Sequence, residues 1–393
     1  MHYAIKAMKS QGKPLKILFV ITQGAWGGAQ RSVFDCATSL SQTHDITVAV
    51  GAKNTSSDLQ DQLRTKAPGI RLVQLKHLVR PFSLIQDFLA IFELKKLYQT
   101  LQPDIVHLNS SKAGIVGSLS NLFSFPSWKT VYTVHGWVFL EPLNHFTKWL
   151  YKTLEKMTAR FKNAFIILSP EEKEVGLLLG IPSSKISVIP LGIDPPKNSF
   201  TQTQAQNQLF SAEKMPRASE WIGTIAGLYP AKGIDLLIEA ISKIKNHIDD
   251  TAFVIIGDGP ERKNLEKKIQ ELQVSDIVFL VGKKENASEL LSAFDKFVLP
   301  SKKEGQPYAL LEAMSFHLPI LATKVGGIPS LLEHYPNATI CEPTSEALSE
   351  ALLPFLKTTQ NNHLPFPILP SRTSLVNTTE KLYYSLTDST HQE

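Results

Sequence analysis

The sequence predicts an α/β protein built as two parallel-sheet domains in tandem, facing each other across a cleft. Short apolar runs alternate with helix-patterned segments along most of the chain. That is the order of strand, crossover helix and parallel strand. The alternation breaks once, in a polar stretch between Asp194 and Glu220, and then resumes. At 393 residues the chain is long enough for two domains with a core each.

In the first half the apolar runs are KILFVIT, DITVAV, RLVQL, DIVHLNS, TVYTVH, AFIILS and ISVIPL. A helix begins at about Gly28, and helical segments separate most of the later runs. The polar stretch DPPKNSFTQTQAQNQLFSAEKMPRASE reads as an interdomain linker over residues 196–220. Beyond it WIGTIAGL precedes the helix IDLLIEAISKI, and AFVIIGDG precedes ERKNLEKKIQELQ. DIVFLVGK precedes ASELLSAF, KFVLPS runs into a helix opening at Pro307, and PILATKV into one after Gly327. The expected domains are residues 1–195 and 221–370, with a last helix around Leu375–Leu386 in a 371–393 tail that can pack back on the first domain. A cleft between such domains is a preferred ligand site.

Composition excludes several classes. The hydrophobic fraction is 43%, ordinary for a globular protein. No apolar run approaches the roughly 20 residues of a membrane-spanning helix, and MHYAIKAMKSQGKP has no apolar core of signal-peptide length. Cys36 and Cys341 stand far apart in no metal-like spacing, as reduced thiols of a cytoplasmic protein would. Charge is uneven. The chain to Pro195 has 22 basic and 13 acidic residues, a balance of +9, and the remainder has 19 and 23, a balance of −4. Such asymmetry suits a first half that meets an anionic surface, or is a drift in solvated charge.

The segment PSKKEGQPYALLEAM, from Pro300 to Met314, is the most informative. A strand ends at Pro-Ser, Glu304 sits in the turn, and Glu312 returns inside an apolar helical run. A solvated loop explains each residue singly. It does not explain a carboxylate among apolar neighbours, which needs a partner. In α/β proteins ligands collect beyond the carboxyl ends of the strands, and a helix start there suits a phosphate. Three other features stand at strand ends. Gly27 and Gly28 let backbone approach a ligand, although a Gly pair is more often a turn. His135 and Gly136 end TVYTVH, where a His can donate to a substrate oxygen. Lys232 in GLYPAKGID is a point charge for phosphate, and Gly257 with Gly259 makes a further tight loop. No G-x-G-x-x-G opens either domain, which disfavours a nicotinamide dehydrogenase.

In this order and at these distances the motifs resemble the retaining glycosyltransferases of family 4, which have the GT-B fold of two Rossmann-like domains. The resemblance runs from GGAQRS through DIVHLNSSKAG, TVHGW, VIPLGID, KGIDLLIEA, GDGPERKNLE and EGQPYALLEA to ATKVGGIPSLLE, and its most specific part is the E-x7-E pair Glu304 and Glu312. It implies catalytic roles for His135, Glu304 and Lys232. Glu304 would touch the transferred sugar and Glu312 the ribose hydroxyls. Gly305, Gln306, Pro307, Tyr308 and Ala309 would surround the diphosphate, through N–H groups between Gln306 and Ala309, helped by Lys232. His135 would reach a sugar hydroxyl, and Gly27 and Gly28 would lie near the sugar phosphate and the acceptor, with Gly257 in the same nucleotide-sugar site. The implied partners are a nucleotide sugar and a glycan or lipid-linked acceptor, with no nucleic acid. No carboxylate pair or His cluster demands a metal, so none is expected. Two departures stand out. Gly227 occupies the place of a family arginine, so one diphosphate cation is missing and Lys302 is a candidate substitute. Asn109 stands where a second His is frequent. A sugar-nucleotide epimerase of the same architecture and a non-catalytic nucleotide-sugar binder are the alternatives.

The segment NHFTKWLYKTLEKMTARFKNAF, from Asn144 to Phe165, has two readings. Phe146, Trp149, Leu150, Leu154 and Met157 recur at spacings of three and four, and Lys148, Lys152, Lys156 and Arg160 at four. Either the apolar stripe packs on the sheet, or the helix lies on an anionic membrane. The second reading places a peripheral protein at the inner face of the cell membrane.

Overall fold

The computed structural model describes residues 12–51, 56–122, 127–194, 200–211, 214–248, 250–358 and 366–388. The amino-terminal stretch read for a signal peptide falls mostly outside the described residues. So do residues 195–199 and 212–213 of the polar stretch.

The first domain contains β1 (Lys16–Ile21), α1 (Gly28–Leu40), β2 (Asp45–Val50), α2 (Asp58–Lys66), β3 (Arg71–Gln74), α3 (Leu84–Leu101), β4 (Ile105–Leu108), α4 (Ser111–Leu119), β5 (Lys129–Val134), α5 (His145–Thr158), β6 (Ala164–Ile167), α6 (Pro170–Leu178) and β7 (Ile186–Val188). Its seven strands are parallel in the order β3-β2-β1-β4-β5-β6-β7. Central strands are buried along almost their whole length, as in IVHL and AFII, which is why they read as unbroken apolar runs. Serine side chains cap α3, α4 and α6 through Ser83, Ser110 and Ser169.

The second domain contains α7 (Gln202–Leu209), β8 (Glu220–Ile225), α8 (Ile234–Ile244), β9 (Thr251–Ile256), α9 (Arg262–Glu271), β10 (Val278–Gly282), β11 (Lys296–Leu299), α10 (Tyr308–Ser315), β12 (Ile320–Thr323), α11 (Ile328–Leu332), β13 (Ala338–Cys341) and α12 (Ser345–Leu356). Six parallel strands run in the order β10-β9-β8-β11-β12-β13. The chain is thus two Rossmann-like α/β domains. The last helix, α13 (Arg372–Asp388), packs against α1 of the first domain. Its Tyr383 is buried, with the hydroxyl 2.5 Å from Nδ1 of His107 on β4.

The structure corrects several expectations. The polar stretch is not a plain linker. Residues 202–209 are helical, a capping box of Thr201 and Gln204 starts them, and Ala205 and Leu209 are buried beside Trp221. Two apolar positions four apart suffice to dock one short helix on an existing core, and a polar background hides them. Strand β13 was not anticipated, because its four residues ATIC are only half-buried. ASELLSAF forms a 3-10 stretch, not an α-helix. Pro307 is the N-cap of α10 and not its first helical residue, with extended backbone at φ −81° and ψ 124°. On α5 the apolar stripe is not packed on the sheet: Phe146, Trp149 and Met157 are exposed, and Glu155 and Thr158 face inward.

Candidate active site

Each sheet reverses its strand order once, between β1 and β4 and between β8 and β11. Ligands of open parallel sheets settle beyond the carboxyl ends of the strands at such a point. The loops found there carry Gly27 and Gly28 after β1, Lys232 after β8, and Glu304 after β11, while His135 follows β5. The two sets of loops meet across the cleft.

Lys232 and Glu304 form one unit. Lys232 Nζ lies 2.6 Å from Glu304 Oε1, and Ser301 Oγ donates to the same oxygen at 2.7 Å. Glu304 is buried, whereas Lys232 is about one-third exposed. Gly233 makes this approach possible. Its φ is +64°, and a Cβ there would lie 1.9 Å from the carbonyl oxygen of Pro300. Only glycine lets the β8 loop close onto the end of β11.

Helix α10 starts at Pro307 with no side-chain cap. The amides of Tyr308 and Ala309 therefore have no intrahelical acceptor. Gln306 is turned the other way: its side-chain oxygen accepts the Leu191 N–H at 2.6 Å and ties the loop to the first domain. Glu312 is buried on α10, and its partner is Arg31 of α1, from the other domain. Burial pushes the Glu312 carboxyl above its usual range, and Arg31 opposes that shift. The Arg31 guanidinium also lies 4.3 Å over the Tyr308 ring. Behind it Asp35 faces Tyr308 Oη at 3.4 Å and Arg372 of α13 at 3.5 Å. Burial raises Asp35 to about 6 despite both arginines.

His135 and Gly136 press against Gly305. A Cβ on Gly136 would lie 3.1 Å from the Gly305 nitrogen, and one on Gly305 would lie 2.9 Å from the Gly136 nitrogen. The two domains touch here backbone to backbone. His135 Nε2 is 3.4 Å from Asn109 Oδ1. With that oxygen as acceptor the ring proton sits on Nε2, and Nδ1 is left an acceptor. The donor role expected of this His thus falls to Nε2, already directed at Asn109. Burial and then the charge of Lys303 lower the ring's pKa to about 4, so it is neutral. Lys303 points into the junction, 3.3 Å from the Gly136 carbonyl and 3.4 Å from Glu141. Glu172 of α6 accepts the Trp137 N–H at 3.3 Å, and burial raises it to about 7.

The remaining sequence candidates separate. Gly28 faces Tyr308, whose ring would lie 3.7 Å from a Cβ there, so the β1 loop does meet α10. Gly27 is the exposed N-cap of α1. Gly257 acts within the second sheet. Its N–H bonds the Gly282 carbonyl, and its φ of +149° lets it pass under Ala226. Lys302, the candidate substitute for the missing arginine, is paired with Asp235 of α8 at 2.6 Å. A cation near the gap is Arg80, whose guanidinium lies 5.6 Å over the Tyr229 ring beside Gly227. Arg31, Asp35, Arg372, Ser301 and Lys303 carry no role that the sequence announces. Arg31 could have been found as the cation one turn beyond Gly27. No cluster of His, Cys, Asp or Glu among the described residues is arranged to hold a metal.

Comparison with known proteins agrees with this architecture. Residues 26–197 match the family model described as Glycosyltransferase Family 4, and residues 206–364 the model described as Glycosyl transferases group 1. The chain belongs to glycosyltransferase family 4 and is a glycosyltransferase. It is 32% identical over 83% of its length to an Escherichia coli UDP-Gal:alpha-D-GlcNAc-diphosphoundecaprenol alpha-1,3-galactosyltransferase, 84% of which is covered. Among solved structures, Anabaena Alr3699/HepE in complex with UDP and glucose superposes with a TM-score of 0.71 at 21% identity, over 94% of this chain and 95% of that one. Sucrose-phosphate synthase from Thermosynechococcus elongatus gives 0.76 at 18% identity, over 96% and 100%. These two likenesses establish the GT-B fold.

Proposed function

We propose that the chain transfers a hexosyl unit from a UDP-sugar to the glycan of a diphosphate-linked lipid, with retention of configuration, in cell-surface polysaccharide or glycolipid assembly. It works at the inner face of the cell membrane as a peripheral protein. The observation that carries this reading is one juxtaposition: the Lys232–Glu304 pair and the uncapped start of α10 stand together at the switch point, opposite His135. The Escherichia coli relative, whose name states a UDP-galactose donor and a diphosphoundecaprenol acceptor, supports the substrate classes.

The geometry suits departure of a diphosphate. As the bond from C1 to the phosphate oxygen breaks, negative charge grows on that oxygen. Lys232 and the amides of Tyr308 and Ala309 are fixed positive groups for it, worth more in the transition state than in the ground state. Glu304 orients the sugar hydroxyls and keeps Lys232 in place. The acceptor hydroxyl attacks C1 from the face the diphosphate leaves. Its proton passes to the departing phosphate oxygen, so the products are UDP and the glycoside. Charge compensation by Lys232 and the helix start requires no divalent ion, and EDTA is expected to leave the rate unchanged.

The test incubates the chain with UDP-galactose, UDP-glucose or UDP-N-acetylglucosamine, each with and without a GlcNAc-diphosphate-lipid. Acceptor-dependent UDP release and an α-linked disaccharide are expected. A changed sugar nucleotide without acceptor would make it an epimerase, and binding without turnover would make it a binder. An EDTA loss restored by Mg²⁺ or Mn²⁺ would overturn the metal-free chemistry.

A further inference from the structure

A helix on a sheet normally turns its apolar stripe inward. Helix α3 has two stripes. Ala90, Leu94 and Tyr98 are buried. On the opposite side Leu84, Ile85, Phe88 and Phe92 follow one another along the helix, 77%, 73%, 60% and 55% exposed. Single exposed apolar residues are ordinary, but an aligned row of four marks an interaction surface. Helix α5 adds Phe146 and Trp149, with ring centroids 6.0 Å apart, beside the exposed cations Lys152, Lys156 and Arg160.

The two helices form one face. Both pack on α4. Lys112 of α4 holds Asp87 of α3 at 2.6 Å. Asp87 and Arg80 in turn act electrostatically on Tyr151 of α5, so the first turn of α3 is within electrostatic reach of the middle of α5 across α4. Glu141 acts on the same Tyr151 and approaches Lys303 at 3.4 Å, which brings the edge of this face to the mouth of the cleft.

We propose that α3 and α5 together are the surface by which the protein docks on an anionic bilayer, α3 inserting its apolar row and α5 laying its cations on the headgroups. This deepens the membrane-face reading of the proposed function and rests on it. Aromatic and aliphatic side chains rimmed by Lys and Arg match the interface of a membrane with anionic lipids. A second copy fits less well, since a two-fold contact centred on α5 would set its cations against their own counterparts. Docked this way, the cleft mouth faces the lipid, and an acceptor anchored in the bilayer reaches the site without leaving it.

The test is sedimentation of the full chain with vesicles of phosphatidylglycerol and phosphatidylcholine, or of phosphatidylcholine alone. Two variants are compared: Leu84→Ser/Phe88→Ser, and Lys152→Gln/Lys156→Gln/Arg160→Gln. All these residues are exposed, so thermal stability and transfer to a soluble acceptor should stay unchanged. Wild type should bind only the anionic vesicles and lose binding as salt rises. The charge variant should lose about fivefold per cation removed, and the α3 variant should lose most of its binding even at low salt. If wild type binds neither vesicle, the membrane-face reading falls with the proposal. If it binds and both variants bind equally well, only the assignment to this face falls. A lipid-free dimer abolished by Leu84→Ser/Phe88→Ser would make the face an interface between copies and overturn the docking.

Discussion

The first βα unit of each domain supplies a cation to the same stretch of chain, Arg31 from the helix and Lys232 from the loop, but the two arrangements differ. In the second domain Lys232 meets Glu304 across a gap closed by Gly233, and both partners belong to that domain. In the first domain Arg31 reaches across the cleft to Glu312. The Lys232 pair is formed whatever the separation of the domains. The Arg31 pair exists only while they are together, and it occupies a carboxylate proposed to receive the ribose. The difference separates preorganisation for chemistry from coupling between nucleotide binding and closure.

The largest expected effect is on the intradomain pair. Glu304→Ala or Lys232→Ala should lower kcat on the order of 10²-fold or more, the size of losing one preorganised charge at a developing anion. The two groups act as a unit, so the double variant should be little worse than the worse single one. Steady-state kinetics on all three proteins measures this. A double variant that falls by the product of the single losses would show that the pair does not work together.

The interdomain pair should give opposite signs at its two ends. Glu312→Ala removes the ribose acceptor and should weaken UDP binding by about 1–3 kcal/mol, as for a hydrogen bond to a charged group. Arg31→Ala removes the competitor of the ribose and should tighten UDP a few-fold. Calorimetric titration with UDP decides between them. Equal weakening in both variants would make Arg31 a ligand contact and erase the contrast between the two pairs.

Sequence reading singled out both members of one pair and only one member of the other for a physical reason. Glu304, Glu312 and the strand before them lie within one segment, and buried parallel strands are legible as apolar runs. Lys232 was legible because its loop follows a recognisable strand. The partner of Glu312 was expected to exist, since a carboxylate among apolar neighbours requires one, but Arg31 lies in another domain, and its place one turn beyond Gly27 does not say which carboxylate it meets. The same limit hid the outward row on α3. Periodicity shows that Leu84, Ile85 and Phe88 share a side with Phe92, yet the helix carries a second row at Ala90, Leu94 and Tyr98. Which row meets the sheet is a tertiary fact. Gln306 bonding Leu191, and Lys302 turning to Asp235, are of the same kind.

The smallest effect tests another carboxylate at the junction, one that neither Arg31 nor Lys232 serves. Glu172 is buried, and its partners are the Trp137 N–H and the charge of Lys303, which only partly offset burial. Its pKa is raised from 4.5 to about 7. A carboxyl raised in the folded state is charged in both states well above that value and carries its desolvation cost there. As pH falls below about 7 the folded form takes up a proton before the unfolded form does, so this group's contribution to stability improves until the unfolded carboxyl also protonates near its ordinary value. Between about pH 8 and about pH 6 the gain is about 1.4 kcal/mol, one pKa unit's worth of linkage. Glu172→Gln keeps an oxygen for the Trp137 N–H and removes the titration. The variant should therefore exceed wild type in stability by more at the higher pH than at the lower. Denaturant unfolding of both proteins at the two pH values measures the gap. A gap that stays constant would mean that Lys303 already holds Glu172 ionised throughout, as a further cation–carboxylate contact across the junction beside Lys303–Glu141 and Arg31–Glu312.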